Sequence, residues 1–308
     1  MRWILPLLLC AQVVSAQSPL VNIQTVFVGD VNNVRDTRDS PLGGGNYFGS
    51  VGSPYAIGKF EVTLDEYTAF LNATARASDP YGLYSEEMRA VNVPTAGIER
   101  QGEVGSFTYS VIGDGRRPVV FVSWFDAARF CNWLHNGGTN GASTETGAYT
   151  LNGATSGIVM KNADARWWIP SEDEWYKAAY YKGGGTNAGY WLYPTQSDTP
   201  PSNVVGDEAN RANYRTPTGF SLTQSPEVAA VNYLTPAGIF AGTRGAYGTF
   251  DQAGNVFEWN DAVIESTYGL SRGVRGGGWN LGETVLQSHN RDLTLPENKS
   301  YYVGFRVA

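Results

Sequence analysis

Cysteine is nearly absent from this 308-residue chain, with Cys10 and Cys131 the only two. Cys10 lies in an N-terminal stretch of Met1-Arg2, an apolar run from Trp3 to Leu9, and Val14-Ser15-Ala16. A charged start, a short apolar core and a small-x-small site read as a cleaved secretory signal over residues 1–16. The mature chain then keeps one thiol, which excludes a disulfide framework in a secreted or periplasmic protein. Histidine is equally scarce. His135 and His289 are far apart and lack ligand spacing, so a zinc site or a two-histidine iron site has too few donors. Basic residues are the minority: without Arg2 there are 21 against 29 acidic, a net charge of −8. That balance argues against nucleic acid or an anionic membrane surface as partner. No later segment approaches the roughly 18 apolar residues of a membrane span.

Glycine (37 residues) and aromatics (13%) are abundant, which suits a loop-rich fold pinned by large rings. Three helices carry their own start signals. Thr63 and Glu66 form a capping box ahead of Leu64, Tyr67 and Leu71; Ser123 and Asp126 do so ahead of Trp124, Ala127, Ala128 and Cys131; Ser171 and Glu174 do so ahead of Trp175, Ala178 and Ala179. Short strands are expected in "YAIGKFEV", with Ala56, Phe60 and Val62 on one side, and in "PVVFV", "RWWIP", "GVRGG" and "YYVGFRVA". Segments 28–50, 136–165, 183–226 and 260–272 read as long loops, which normally carry function. No repeat or linker separates two cores. The expectation is one α+β domain of low regular content over residues 55–308, after a lead-in and first strand region at 17–54.

Several features have plain structural readings. Glu172-Asp173-Glu174 are first-turn acids that favour the helix dipole. His135 suits a helix C-terminus, and Cys131 is a small buried hydrophobe. "PLGGGN", "GDGRRP" and "KGGGTN" lack the context of phosphate cradles and are turns. Asn72 and Asn298 head glycan-acceptor triplets, meaningful only in a eukaryotic secretory route. The segment "FDQAGNVFEW" stands apart. Asp251 and Glu258 are hard oxygen ligands, and Gly254 permits an inward-turned carbonyl. Calcium and an ordinary hydrogen-bonded turn are both compatible with it.

The motifs "GKFEVTLDEYTAFL", "RPVVFVSWFDAARFCNWL", "RWWIPSEDEWYKAAYY", "ANY", "GTFDQAGNVFEWN", "VRGGGW" and "GFRVA" follow one another over residues 55–308. In that order they resemble the formylglycine-generating enzyme, or sulfatase-modifying factor, family. The resemblance implies a single variant of the C-type lectin-like fold. In the family's copper oxidases, two cysteines after a glycine–glycine–serine–tryptophan turn bind Cu(I). Mapped residue by residue they fall on Leu281 and Leu286, and the serine becomes Gly278. Leucine ligates nothing, so the resemblance argues against copper here. The family's iron-dependent sulfoxide synthases use ligands on an extra helical domain that this chain lacks. The resemblance also implies calcium held by Asp251, Gly254, Val256 and Glu258, with a second site beginning at Asn213 and Tyr214. A helix cysteine matching Cys131 pairs, in some relatives, with a cysteine in the closing motif, which here is Gly304-Phe305-Arg306-Val307.

Three functions remain open at this stage. One is a non-catalytic module binding a protein, peptide or glycan near Phe257, Trp259, Trp279, Asn280, Glu283, Gln287, His289, Asn290 and Arg291, with Trp259 and Trp279 partly structural. A special case is a retroelement-diversified display protein with variable residues in 280–302. The alternative is a formylglycine-generating or other oxidoreductase-type enzyme of altered chemistry, with Asp126, Arg275, His289 and Arg291 as acid, base or anion partners.

Overall fold

The computed structural model describes residues 18–38, 47–90, 94–229 and 231–308. The signal segment, residues 1–16, lies outside the described residues. No described helix is long and apolar enough to cross a membrane.

All three capping boxes form. Helix α1 (Leu64–Thr74) is capped by Thr63 and Glu66, α2 (Trp124–His135) by Ser123 and Asp126, and α3 (Glu172–Tyr180) by Ser171 and Glu174. The reciprocal bonds satisfy orphan N–H groups that would otherwise need water. Helix α2 is buried along nearly its whole circumference, including Asp126, Arg129 and Asn132. Each polar residue there has a partner: Arg129 pairs with Glu145 at 2.7 Å, and Asn132 bonds the backbone of Thr144 and Tyr149. A central helix can be polar inside when loops bring complementary groups to it. The main core joins α1 and α2 through Tyr67, Phe70, Phe130, Trp133 and Phe305.

The lead-in contributes β1 (Thr25–Val28), antiparallel to β2 (Tyr55–Gly58). Two further antiparallel ribbons are β3 (Ile98–Gln101) with β4 (Thr108–Val111), and β5 (Arg215–Thr216) with β6 (Gly219–Phe220). The largest sheet has four strands, β7 (Phe257–Ser266), β8 (Gly269–Arg275), β9 (Asp292–Thr294) and β10 (Val303–Gly304), in the order β10-β7-β8-β9. Its β10–β7 pairing is parallel and the others are antiparallel.

Four expectations need correction. Over β2 the alternation in "YAIGKFEV" runs in the opposite phase, with Ala56 exposed and Tyr55 and Ile57 buried, whereas Phe60 is half-buried and Val62 buried as expected. "PVVFV" is buried and "RWWIP" is buried only at Ile169 and Pro170, and neither is a strand. Phe121 takes a left-handed φ of 60°, which ends any extended run, and Trp168 instead exchanges two backbone bonds with Ala308. Residues 260–272 are no loop; they form most of the β7–β8 hairpin. Asn72 is no free acceptor, because its amide binds the carbonyls of Thr68 and Tyr109.

Candidate functional site

The loop before β7 and the end of β8 meet at the glycine turn Gly276–Gly278. Asp251 and Asn255 have left-handed φ values of 61° and 60°, and Gly254 has φ 78°. A Cβ on Gly254 would lie 2.0 Å from the Asn213 carbonyl oxygen, so only glycine fits where these two backbones bridge. Asn255 is the hub. Its Oδ1 accepts from Asn213 Nδ2 at 2.9 Å and from the Thr235 amide at 2.9 Å, and its Nδ2 donates to Glu61 Oε1 at 3.1 Å. Its carbonyl receives the Trp279 amide at 2.9 Å, which ties the calcium-like loop to the turn.

Beneath this loop lies a buried charge cluster. The Glu258 and Arg306 side chains are fully buried and paired. Arg306 donates to both carboxylate oxygens of Glu258, and Trp175 Nε1 donates to Oε2 at 2.7 Å. Arg306 also binds the carbonyls of Gly58 and Phe250. Asp251 Oδ2 accepts from the Gly238 amide at 2.7 Å. Burial pushes the Asp251 carboxyl up to about 6, with Glu258 adding repulsion and Arg306 opposing. Burial and the neighbouring Asp251 and Glu258 hold the Glu61 carboxyl well above the usual range.

As these residues are placed, several side chains expected at calcium are engaged by protein groups. Glu258 Oε2 is saturated by two donors and its other oxygen faces a guanidinium, which takes the position a cation needs. Asn213 presents its N–H donors inward, to Tyr233, Thr235 and Asn255. Tyr214 Oη donates to the Pro201 carbonyl. No group of three or more His, Cys, Asp or Glu side chains is arranged to hold a metal among the described residues.

The copper positions are apolar packing. Leu286 is fully buried with Tyr193, Ala212, Tyr214 and Ala253, and its carbonyl accepts from Tyr180 Oη at 3.0 Å. Leu281 is half-buried against the main core. Phe257 and Trp279, expected at a binding surface, are core residues at 2% and 3% exposure. Trp279 stacks on Tyr233 with centroids 5.1 Å apart and planes 4° apart, and Phe220 and Tyr301 pack on it. Trp259 is also buried and donates to the Val122 carbonyl.

The segment after Trp279 forms a half-buried rim. Asn280 donates to the Tyr301 hydroxyl, and Gln287 donates to Tyr193 Oη at 2.7 Å. Arg291 and Arg275 both grip Glu172, at 2.6 and 2.7 Å. Glu172 was read from sequence only as a helix-dipole acid; its role as a two-arginine clamp reaches 103 and 119 residues along the chain and has no local signal. Glu283, His289 and Asn290 are half-buried. Partial burial and the nearby Arg38 guanidinium hold His289 below its ordinary range. Asp126, a candidate acid, is committed instead to Ser123 and Lys299. Beside the rim opens a cavity of about 170 Å³ lined by Arg215, Thr216, Pro217, Thr218, Phe220 and Glu227. It adjoins the rim through the Arg215 amide bond to the Leu281 carbonyl and the Phe220–Trp279 ring contact. Cys131 is buried and unpaired, and burial pushes its thiol well up.

A family model described as the sulfatase-modifying factor enzyme 1-like domain matches residues 49–308. The crystal structure of CarF is 22% identical, with a TM-score of 0.54 over 93% of this chain and 97% of that one. Treponema denticola variable protein 1 is 21% identical, with a TM-score of 0.49 over 93% of this chain and 95% of that one. PvdO from Pseudomonas aeruginosa is 20% identical, with a TM-score of 0.48 over 93% and 90%. No curated protein matches the chain.

Proposed function

Because the chain belongs to the sulfatase-modifying factor enzyme 1-like family and has apolar packing where that family's oxidases need soft ligands, we propose that it is an exported binding module, not an oxidase. The observation that carries this reading is Leu286, which has no exposed surface and fills the place of a copper thiolate with core contacts. The scaffold beneath is intact, from the capping boxes to the Glu258–Arg306 pair. Recognition then falls to Asn280, Glu283, His289 and Asn290 on the rim, with the adjoining cavity at Arg215 and Glu227. Polar groups on a rim beside an aromatic-backed recess fix the orientation of a peptide or glycan. Phe257 and Trp279 support that surface from below.

The test is a panel of peptide and glycan ligands against wild type and the Asn280→Ala, Glu283→Ala and His289→Ala variants. We expect a ligand that binds wild type and loses about tenfold or more in affinity in at least one variant, with melting temperatures unchanged. Binding that is indifferent to all three substitutions refutes the surface.

A further inference from the structure

We propose that a groove between the lead-in strand and the loop 244–250 binds an acidic sugar, a hydroxylated ring that carries a carboxylate. The groove holds a cavity of about 590 Å³. One wall is the lead-in, with Asn22, Gln24 and Val26; the other is the loop, with Arg244, Gly248 and Phe250. Lys59 joins the two walls. Its amide donates to the Gln24 carbonyl and its carbonyl accepts from the Phe250 amide, both at 2.8 Å. Gln24 and Val26, two apart in an extended segment, share a face. On that face Val26 meets the loop: a Cβ on Gly248 would stand 3.6 Å from Val26 Cγ1. The loop is held by its own bonds, from the Gly245 amide to the Thr249 carbonyl at 2.7 Å and from the Gly248 amide to the Gly245 carbonyl at 2.9 Å. Gln196 Nε2 fixes the Arg244 carbonyl at 2.7 Å.

The charges in this groove are of one sign. Lys59 and Arg244 line it, and among the described residues no Asp or Glu does. Neither cation has an ion pair among the described residues. The Lys59 ammonium lies 5.2 Å from the Phe60 ring centroid and 5.4 Å from that of Phe250. Ring faces hold a cation in place without cancelling its charge. Arg244 is exposed, and its planar fork of N–H donors matches a carboxylate. A recess lined by one sign of charge concentrates the opposite ion, so within this acidic chain the groove is an anion site. The neutral polar residues decide what the anion is attached to. Asn22 and Gln24 are exposed, and their side-chain amides have no protein partner among the described residues. Each amide offers two donors and an acceptor, which suits hydroxyl groups; a bare inorganic anion accepts only. The volume also falls within the roughly 300–1,000 Å³ of ligand pockets, more than a lone ion fills. None of these residues belongs to the rim after Trp279, so this site stands or falls independently of the proposed binding function.

The experiment is an NMR titration of the isotope-labelled mature chain with methyl β-D-glucuronide, and with methyl β-D-glucoside as the neutral counterpart of the same ring. Saturable shifts of the Lys59 and Arg244 amides are expected with the glucuronide and none with the glucoside. Acetate, the carboxylate without the ring, should bind more weakly than the glucuronide. Lys59→Gln and Arg244→Gln should each weaken glucuronide binding about fivefold or more, with little change in melting temperature. Arg76→Gln, at an exposed cation outside the cavity, should bind like wild type. The proposal is overturned if the glucoside or acetate binds as tightly as the glucuronide, if no saturable shift appears at Lys59 and Arg244, or if their two variants lose no more affinity than Arg76→Gln.

Discussion

Replacing Arg306 with methionine removes the only cation from a fully buried cluster of carboxyls. Arg306 and Glu258 both have 0% side-chain exposure. Deleting one partner of a buried ion pair typically costs ~3–5 kcal/mol, because the other charge is left unpaired. The carbonyls of Gly58 and Phe250 also lose their donor, at ~1–3 kcal/mol each before water relieves them. Protonation of the carboxyls limits the damage, at about 1.4 kcal/mol per pH unit above the pKa. A net loss of about 5 kcal/mol at neutral pH follows, a third or more of the stability of a typical domain. In a chain of this size that lowers the melting temperature by about 10 °C or more. The loss should shrink at mildly acidic pH, where Asp251, pushed up to about 6, takes up a proton, and Glu258→Gln in the Arg306→Met background should recover part of it. Denaturant titrations of the wild type, Arg306→Met and the double variant at both pH values provide the measurement. A loss below about 1 kcal/mol, or one independent of pH, would refute the reasoning.

Burial pushes the Asp261 carboxyl up to about 7, against the pull of Arg272 and Lys161. Between the unfolded and folded values the native state holds a proton that the unfolded chain has released, so stability falls as pH rises from about 4 to about 7, by up to ~4 kcal/mol. Asp261→Asn should flatten that part of the melting-temperature profile; an unchanged slope contradicts the assignment. Calcium and EGTA should give the same melting midpoint, since Glu258 is held by Arg306 and Trp175. A calcium-dependent rise that disappears in Asp251→Asn would restore the metal at this loop.

The helix starts were legible because each capping box is written within four residues and needs nothing distant. Gly254 was legible as a special backbone position, although the reason, a carbonyl from Asn213 against its Cα, was not. Strand phase was less accessible: Ala56 faces solvent because β1 pairs with β2 and Tyr55 bonds α3. "PVVFV" has strand composition, but its backbone groups go to isolated partners, as in the Val119–Val62 bond, and Phe121 turns left-handed. Glu258 drew attention as an oxygen ligand, yet its partner Arg306 lies 48 residues away in the closing motif. Phe257 and Trp279 were placed at a surface on their aromatic character, and ring stacking in the core is the other use of that character. Leu281 and Leu286 were legible as apolar positions, and Leu286 packs in a core cluster while Leu281 lies against the main core.

The central claim, recognition in place of oxidation, is tested most directly by incubating the purified mature protein with copper, oxygen and a sulfatase-type cysteine peptide and weighing the peptide by mass spectrometry. The account predicts that the cysteine survives with the mass of the untreated peptide. Conversion to formylglycine, dependent on the protein and on copper, would contradict it.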